Sequence, residues 1–357
     1  MKLKKLKWVH NFLNIYNPLF GKMKKTDTFS SDIQFNSILI FSTTALGDFM
    51  FNTPAIRAIR AHYPDAHITL VSSEKNRLLV ENYDQIDSVI YWDNKIKNLL
   101  PIALQAKKYK PELAVILHSH LPYDVLFAVI AGCQYILRNT FHELPKWFTK
   151  WIVADHNTTP VHLVQSKLDL VSHLGITNVS TDMELPCKIK LLPKIEYKVI
   201  GFQMGTSTPE RRWAVSHFVE LAKKLINSDN SLIIKLIGAP HEQGLSDEFF
   251  KLLPVNYHKN IENFVGKTSL PDLLSHINMM NVLVTGDTGP LHLAITLKRP
   301  TVSLFVTANP CSTGPYQDLE LHTVIKKEPL FCEAPESIMD VITVDEVFNA
   351  VNKTLKG

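Results

Sequence analysis

The stretch Val282-Leu283-Val284-Thr285-Gly286-Asp287-Thr288-Gly289-Pro290-Leu291-His292-Leu293-Ala294, followed closely by Thr301-Val302-Ser303-Leu304-Phe305, leaves few folds open. Its first three residues are apolar and two are β-branched, as at the end of a buried strand. Gly-Asp-Thr-Gly then turns the chain, and Pro290 suits the first turn of a helix. The second apolar run completes a βαβ unit, which demands a parallel sheet with a right-handed crossover. The turn holds a carboxylate, a hydroxyl and backbone N–H groups at a helix N-terminus, an arrangement that binds phosphate. It is equally consistent with an ordinary βα loop in which Asp287 or Thr288 only caps the helix.

The same pattern occurs along most of the chain. Ser37-Ile38-Leu39-Ile40-Phe41 reads as a buried strand, followed by the loop Ser42 to Asp48 and a helix through Ile56 and Ile59. Further strands are predicted at His67–Val71 and at Leu113–Leu117, the latter ending in His118-Ser119-His120, and an amphipathic helix over Val161–Leu174. A linker is expected near residues 188–196, around Leu191-Leu192-Pro193-Lys194, after which the pattern restarts. Strands are predicted at 198–202, 232–237 and 261–265, with helices at 215–226, after His241-Glu242, and at 341–355. Strands alternating with helices give two successive α/β units of roughly 150 residues each. The expected divisions are a segment over residues 1–32, a first domain over 33–190 and a second over 191–357.

Charge is spread unevenly. Residues 1–30 hold seven lysines (2, 4, 5, 7, 22, 24 and 25) and one acid, Asp27, a local charge of +6 against +4 for the whole chain. The remainder is therefore slightly acidic, which argues against a nucleic-acid-binding face. Trp8, Phe12, Ile15 and Leu19 recur at helical spacing beside Lys2, Lys4, Lys5 and Lys7, and Asn17-Pro18 closes the run. An aromatic stripe beside lysines can lie in an anionic membrane interface, and residues 1–25 are expected to contact a cytosolic membrane surface. The other readings are a helix packed on the body or a disordered tail. Residues 22–32 read as a polar linker. The interrupted apolar run makes a poor signal peptide, and no apolar segment is long enough to span a bilayer. Four scattered cysteines (133, 187, 311 and 332) suit a reducing cytosol. The cluster Phe141, Trp147, Phe148 and Trp151, with Lys146 and Lys150, reads as satellite core under a loop rather than as a surface that receives an amphiphilic substrate.

Ligands of doubly wound sheets sit beyond the carboxyl ends of strands. In the first unit those ends carry Thr43, Thr44, Gly47, Asp48, His118 and His120; in the second, Thr206, Ser207, Arg211, Arg212, Gly238, Glu242, Asp287, Thr288, Gly289 and His292. There is no GxGxxG after the first strand, no P-loop lysine motif and no Asp-x-Asp, so dinucleotide redox, NTPase and metal-dependent transferase readings lack their usual residues. A group transfer from a phosphate-bearing donor fits what remains, in a cleft between domains. Asp48 would remove a proton from an acceptor hydroxyl. Arg211 and the helix N-terminus at Asp287-Thr288-Gly289 would stabilise a diphosphate leaving group. Asp48 is also consistent with a plain helix N-cap.

Ser42-Thr43-Thr44-Ala45-Leu46-Gly47-Asp48 with Thr53-Pro54-Ala55-Ile56-Arg57-Ala58-Ile59-Arg60 resembles the N-terminal signature of the lipopolysaccharide heptosyltransferases, glycosyltransferase family 9. Gly205-Thr206-Ser207 with Arg211-Arg212-Trp213, and Gly286 to His292 continuing to Pro310 and Thr313-Gly314-Pro315-Tyr316, resemble that family's later motifs in order. The resemblance implies a GT-B fold, with two Rossmann-like domains whose parallel sheets face across a cleft. It implies inverting, metal-independent transfer of a heptose from ADP-heptose to the inner core on lipid A, at the inner membrane of a Gram-negative bacterium, with no cofactor beyond the nucleotide sugar. Carried over by position, Asp48 is the base. Thr206, Ser207 and Arg211 hold the diphosphate and Glu242 the ribose; Thr268 approaches the adenine, and Asp287, Thr288, Gly289 and His292 meet the donor phosphate and sugar. Thr44, Gly47, Arg57, Arg60, His118 and His120 are acceptor-side candidates. Arg211 stands where the family often has Lys, and the basic N-terminal extension is not a family feature. Alternatives are a transferase using a UDP-hexose or UDP-N-acetylhexosamine, a non-catalytic nucleotide-sugar-binding relative, and a GT-B-like epimerase.

Overall fold

The computed structural model describes residues 3–140, 143–156, 161–193, 196–329 and 338–356. Lys2, Phe141, Lys194 and Cys332 lie outside them. The chain divides into two compact units, Met1–Cys187 and Lys188–Gly357.

The first unit begins with helix α1 (Leu3–Phe20). It continues through β1 (Ser37–Ser42), α2 (Leu46–Met50), α3 (Thr53–His62), β2 (His67–Ser72), α4 (Arg77–Val80), β3 (Ser88–Tyr91) and α5 (Leu99–Lys107). It closes with β4 (Leu113–His118), α6 (Tyr123–Ala131), β5 (Tyr135–Asn139), α7 (Lys146–Thr149), β6 (Ala154–His156) and α8 (Leu163–Ser172). All six strands are parallel, in the order β3-β2-β1-β4-β5-β6. β1 is buried along its whole length because helices cover both faces of a parallel sheet.

The second unit runs β7 (Val199–Gln203), α9 (Val215–Ser228), β8 (Ile233–Ile237), α10 (Gln243–Leu252), β9 (Ile261–Asn263) and α11 (Leu270–Asn278). Then come β10 (Val282–Gly286), α12 (Gly289–Thr296), β11 (Thr301–Phe305), α13 (Pro310–Thr313), β12 (His322–Lys326) and α14 (Val344–Thr354). Its sheet order is β12-β11-β10-β7-β8-β9, the same doubly wound topology. In each unit the strand order reverses between the first and fourth strands, β1 and β4 or β7 and β10. That reversal opens the crevice where doubly wound folds take ligands.

Four strands escape the sequence pattern: β3, β5, β6 and β12. β5 carries the buried polar pair Arg138 and Asn139, β6 has three residues, and β3 and β12 are half-exposed edge strands. The helix at the N-terminus packs on the body through Leu6, Val9 and Leu13, all buried against α6 and α7. The Trp8-Phe12-Ile15-Leu19 stripe faces outward. Phe148 and Trp151 join the same core as Leu6, Val9 and Leu13, so this aromatic cluster is structural. The stretch read as a linker is held in place: Lys24 N–H donates to Gln134 O, the Thr28 and Tyr135 hydroxyls lie 3.0 Å apart, and Phe29 packs on the Tyr135 ring.

Candidate active site

The loop after β1 is fixed by buried polar contacts. Thr43 Oγ1 donates to Asn94 Oδ1 (2.9 Å) and lies 3.0 Å from Ser119 Oγ; Asn76 Nδ2 donates to Thr44 O at 2.9 Å. The N-cap residue of α2 is Ala45, whose side chain cannot accept a hydrogen bond, so Asp48 stands in the first turn of the helix and is not its cap. Gly47 beside it is buried.

His118 ends β4, on the other side of the strand-order reversal. Its Nδ1 lies 3.1 Å from Thr44 Oγ1 and 3.9 Å from Asp48 Oδ2. Burial, and next the positive charges of Lys167 and Arg138, push its pKa down to about 3, so the ring is neutral at physiological pH. The contact with Asp48 is therefore not an ion pair. Lys167, on α8, is 2% exposed. Burial, and next the Arg138 charge, hold its ammonium down to about 8, with the Asp48 carboxylate opposing them. Arg138 in turn uses its whole fork. Nε donates to Asp124 Oδ2 (2.9 Å), Nη1 to Asn139 O (2.7 Å) and Nη2 to Ser119 O (3.1 Å), pinning the loop that follows His118. His120 lies exposed in that loop.

Lys167, Arg138 and Asp124 were not among the sequence-derived candidates. One signal for Lys167 was present: it falls in the buried stripe Val164, Lys167, Leu168, Val171 of α8, where a charge is costly without a purpose. Arg57 and Arg60, expected on the acceptor side, are bonded within the first unit. Arg57 pairs with Glu184 Oε2 (3.0 Å) and donates to Ser180 O and Asp182 O; Arg60 pairs with Asp87 and donates to Gln85 O and Ala66 O. Both guanidinium groups tie loops to α3 through neighbouring carbonyls and a carboxylate.

In the second unit, the loops after β7 and β10 meet. Arg211 Nη1 lies 3.9 Å from Asp287 Oδ2, and His292 Nε2 lies 3.7 Å from Asp287 Oδ1. Burial raises the pKa of Asp287, with Thr313 and Arg211 pulling it back. Thr288 is the N-cap residue of α12, yet its hydroxyl lies against Thr285 Oγ1 (2.8 Å) and makes no cap bond to the helix N–H groups. A plain capping role for Thr288 is thereby excluded. Gly289 opens the helix. Thr206 Oγ1 donates to Thr208 O (2.6 Å), and Ser207 is exposed.

Glu242 is buried, its Oε2 accepting from Ala239 N–H (2.7 Å) and Gln203 Nε2 (3.3 Å). Its Oε1 faces Gly205 so closely that a Cβ there would stand 1.7 Å away. Glu242 and the Gly205-Thr206-Ser207 loop thus form one unit of structure. Thr268 sits in a different loop, between the edge strand β9 and α11, just before the Ser269 cap. Each unit therefore presents one cluster at its own switch point: Asp48, His118 and Lys167 in the first, and Arg211, Asp287 and His292 in the second. The first is suited to managing a proton, the second to holding an anion.

The fold recurs in solved proteins. A family 9 glycosyltransferase from Veillonella parvula matches with a TM-score of 0.77 at 21% identity, covering 92% of this chain and 99% of that one. The Escherichia coli ADP-heptose lipopolysaccharide heptosyltransferase II matches at 0.72 and 22% identity, covering 90% and 98%. The two Rossmann-like domains, each with its cluster at the switch point, are those of the GT-B fold. Lipooligosaccharide heptosyltransferase 2 of Campylobacter jejuni is 25% identical over 288 residues, 79% of this chain and 84% of that protein. Residues 148–341 match glycosyltransferase family 9 (heptosyltransferase), and the chain belongs to that family.

Proposed function

We propose that the protein transfers a heptose, with inversion and without a metal ion, from ADP-heptose to the inner core of a lipid A-linked acceptor. The observation that carries this reading is Asp48, at the β1–β4 reversal and in the first turn of α2 rather than in its cap. An Asp48 carboxylate oxygen takes the proton of the acceptor hydroxyl as that oxygen attacks the anomeric carbon of the donor sugar. The bond from that carbon to the diphosphate oxygen breaks on the opposite face, and a single displacement inverts the anomeric centre. Arg211 and the N–H groups opening α12 take up the charge on the departing diphosphate. Asp287, between Arg211 and His292, orients that loop and the donor sugar hydroxyls. Neutral His118 leaves the proton to Asp48.

The names of the relatives support heptose as the sugar and lipopolysaccharide as the acceptor. Among the described residues no helix is long and apolar enough to cross a membrane. A lipid-linked acceptor then calls for peripheral work at the cytosolic face of the inner membrane. Asp48→Asn is the test. Turnover should fall by about 10²–10⁴-fold, in line with losing a positioned base, while ADP affinity by calorimetry is unchanged. Retained turnover removes Asp48 as base, and tighter binding of UDP than of ADP replaces the donor.

A further inference from the structure

Helix α1 is amphipathic twice over. One face, Leu6, Val9 and Leu13, is buried in the first unit's core. Trp8, Phe12, Ile15 and Leu19, spaced four, three and four residues apart, form a second apolar stripe about 16 Å long. Their relative exposures are 54%, 37%, 69% and 67%. Six of the eighteen large apolar side chains exposed among the described residues lie on this one helix. Trp8 stacks on Phe12 at 6.0 Å, and Phe12 on Tyr16 at 5.5 Å, so the stripe is ordered as a ladder of rings rather than scattered. A patch of this kind marks a surface meant to be covered.

The surrounding charge says what covers it. Lys4 stands one turn before Trp8 on the same face and Lys7 is exposed nearby, while the Lys5 ammonium lies 5.5 Å from the Tyr123 ring centroid. Beside Asn14, Asn17 and Pro18, on another face of the same helix, a cavity of about 470 Å³ is lined by Lys24, Lys25, Lys150 and Asp27. No acid precedes Asp27 in the chain. Cations at the start of an aromatic stripe suit the interface of an anionic bilayer: rings enter at headgroup depth and ammonium groups meet lipid phosphates.

We infer that α1 docks the first unit onto an anionic lipid surface through Trp8, Phe12, Ile15 and Leu19, with the flanking lysines supplying attraction. The docking stands without the donor assignment; its use, holding the acceptor-side unit on the surface that carries its substrate, rests on the function proposed above.

The test is sedimentation of the full chain with vesicles of phosphatidylglycerol and phosphatidylethanolamine, against vesicles of phosphatidylcholine. The unsubstituted protein should pellet with the anionic vesicles only, and less as salt rises. W8S/F12S/I15S/L19S should lower binding at least tenfold while the chain still melts cooperatively, since Leu6, Val9 and Leu13 keep the helix on the core. K4Q/K5Q/K7Q should lower it by up to about a hundredfold, each near-surface lysine contributing about fivefold. Turnover on a soluble, delipidated acceptor should be unaltered in both. Equal binding to neutral vesicles, full binding by the stripe variant, or a stripe variant that only dissociates a dimer would overturn the inference. Vesicle binding by a chain inactive with every donor would sink the proposed function alone.

Discussion

Lys167→Met is the substitution whose outcome most directly tests the electrostatics of the first cluster. Holding the buried ammonium at about 8 rather than 10.5 costs the native state about 3 kcal/mol at neutral pH. Methionine fills similar space without a charge, so the variant should be more stable than the parent at pH 7, by up to that amount. The sign follows from proton counting. Between about 8 and 10.5 the unfolded lysine keeps its proton and the native one has lost it, so unfolding takes up a proton. Stability attributable to Lys167 therefore rises with pH across that window, by about 1.4 kcal/mol per pH unit, and is constant below it. Urea unfolding of both full-length proteins from pH 7 to pH 10.5, taken as a difference, cancels every other titrating group. The gap should close as pH rises. A difference that stays constant, or widens, refutes the account of a depressed lysine.

Arg138→Met should destabilise by about 3–5 kcal/mol, because Asp124 is fully buried and would lose its cation. Adding Asp124→Leu should recover part of that loss in thermal melts, and failure to recover would mean that Arg138 acts through Ser119 O instead. Gly205→Ala should push the Glu242 carboxylate from Ala239 N–H and Gln203, costing about 1–3 kcal/mol and weakening nucleotide binding in calorimetry. An unchanged melting temperature together with unchanged affinity would show that Glu242 yields freely.

Asp48, Arg211 and Asp287 were legible as candidates because β1, β7 and β10 are buried along their whole length and read as largely apolar runs followed by loops rich in Gly, Thr and Ser. A strand's carboxyl end is a local property, so Asp48 and Asp287 could be found one residue at a time. N-cap roles were not separable locally. Ala45 at the cap of α2 and the turn of Thr288 toward Thr285 both depend on how the chain enters the helix.

What the chain order alone determined was the alternation of strand and helix, and with it two parallel α/β units carrying ligand loops at their strand ends. The period of apolar residues encodes which face is buried, and that needs no partner. The tertiary structure alone decided which loops adjoin, since sheet order places β4 beside β1 and so brings His118 to Asp48 from 70 positions away. It also decided which charges serve the fold. Arg57 and Arg60 are bound by carbonyls from distant loops, whereas Lys167 arrives beside Asp48 on a helix whose buried stripe it interrupts. On α1 the sequence displayed the stripe of Trp8, Phe12, Ile15 and Leu19; packing chose Leu6, Val9 and Leu13 for the core and left the stripe to solvent. One helix can bury only one face against a single body, and tertiary contact makes that choice.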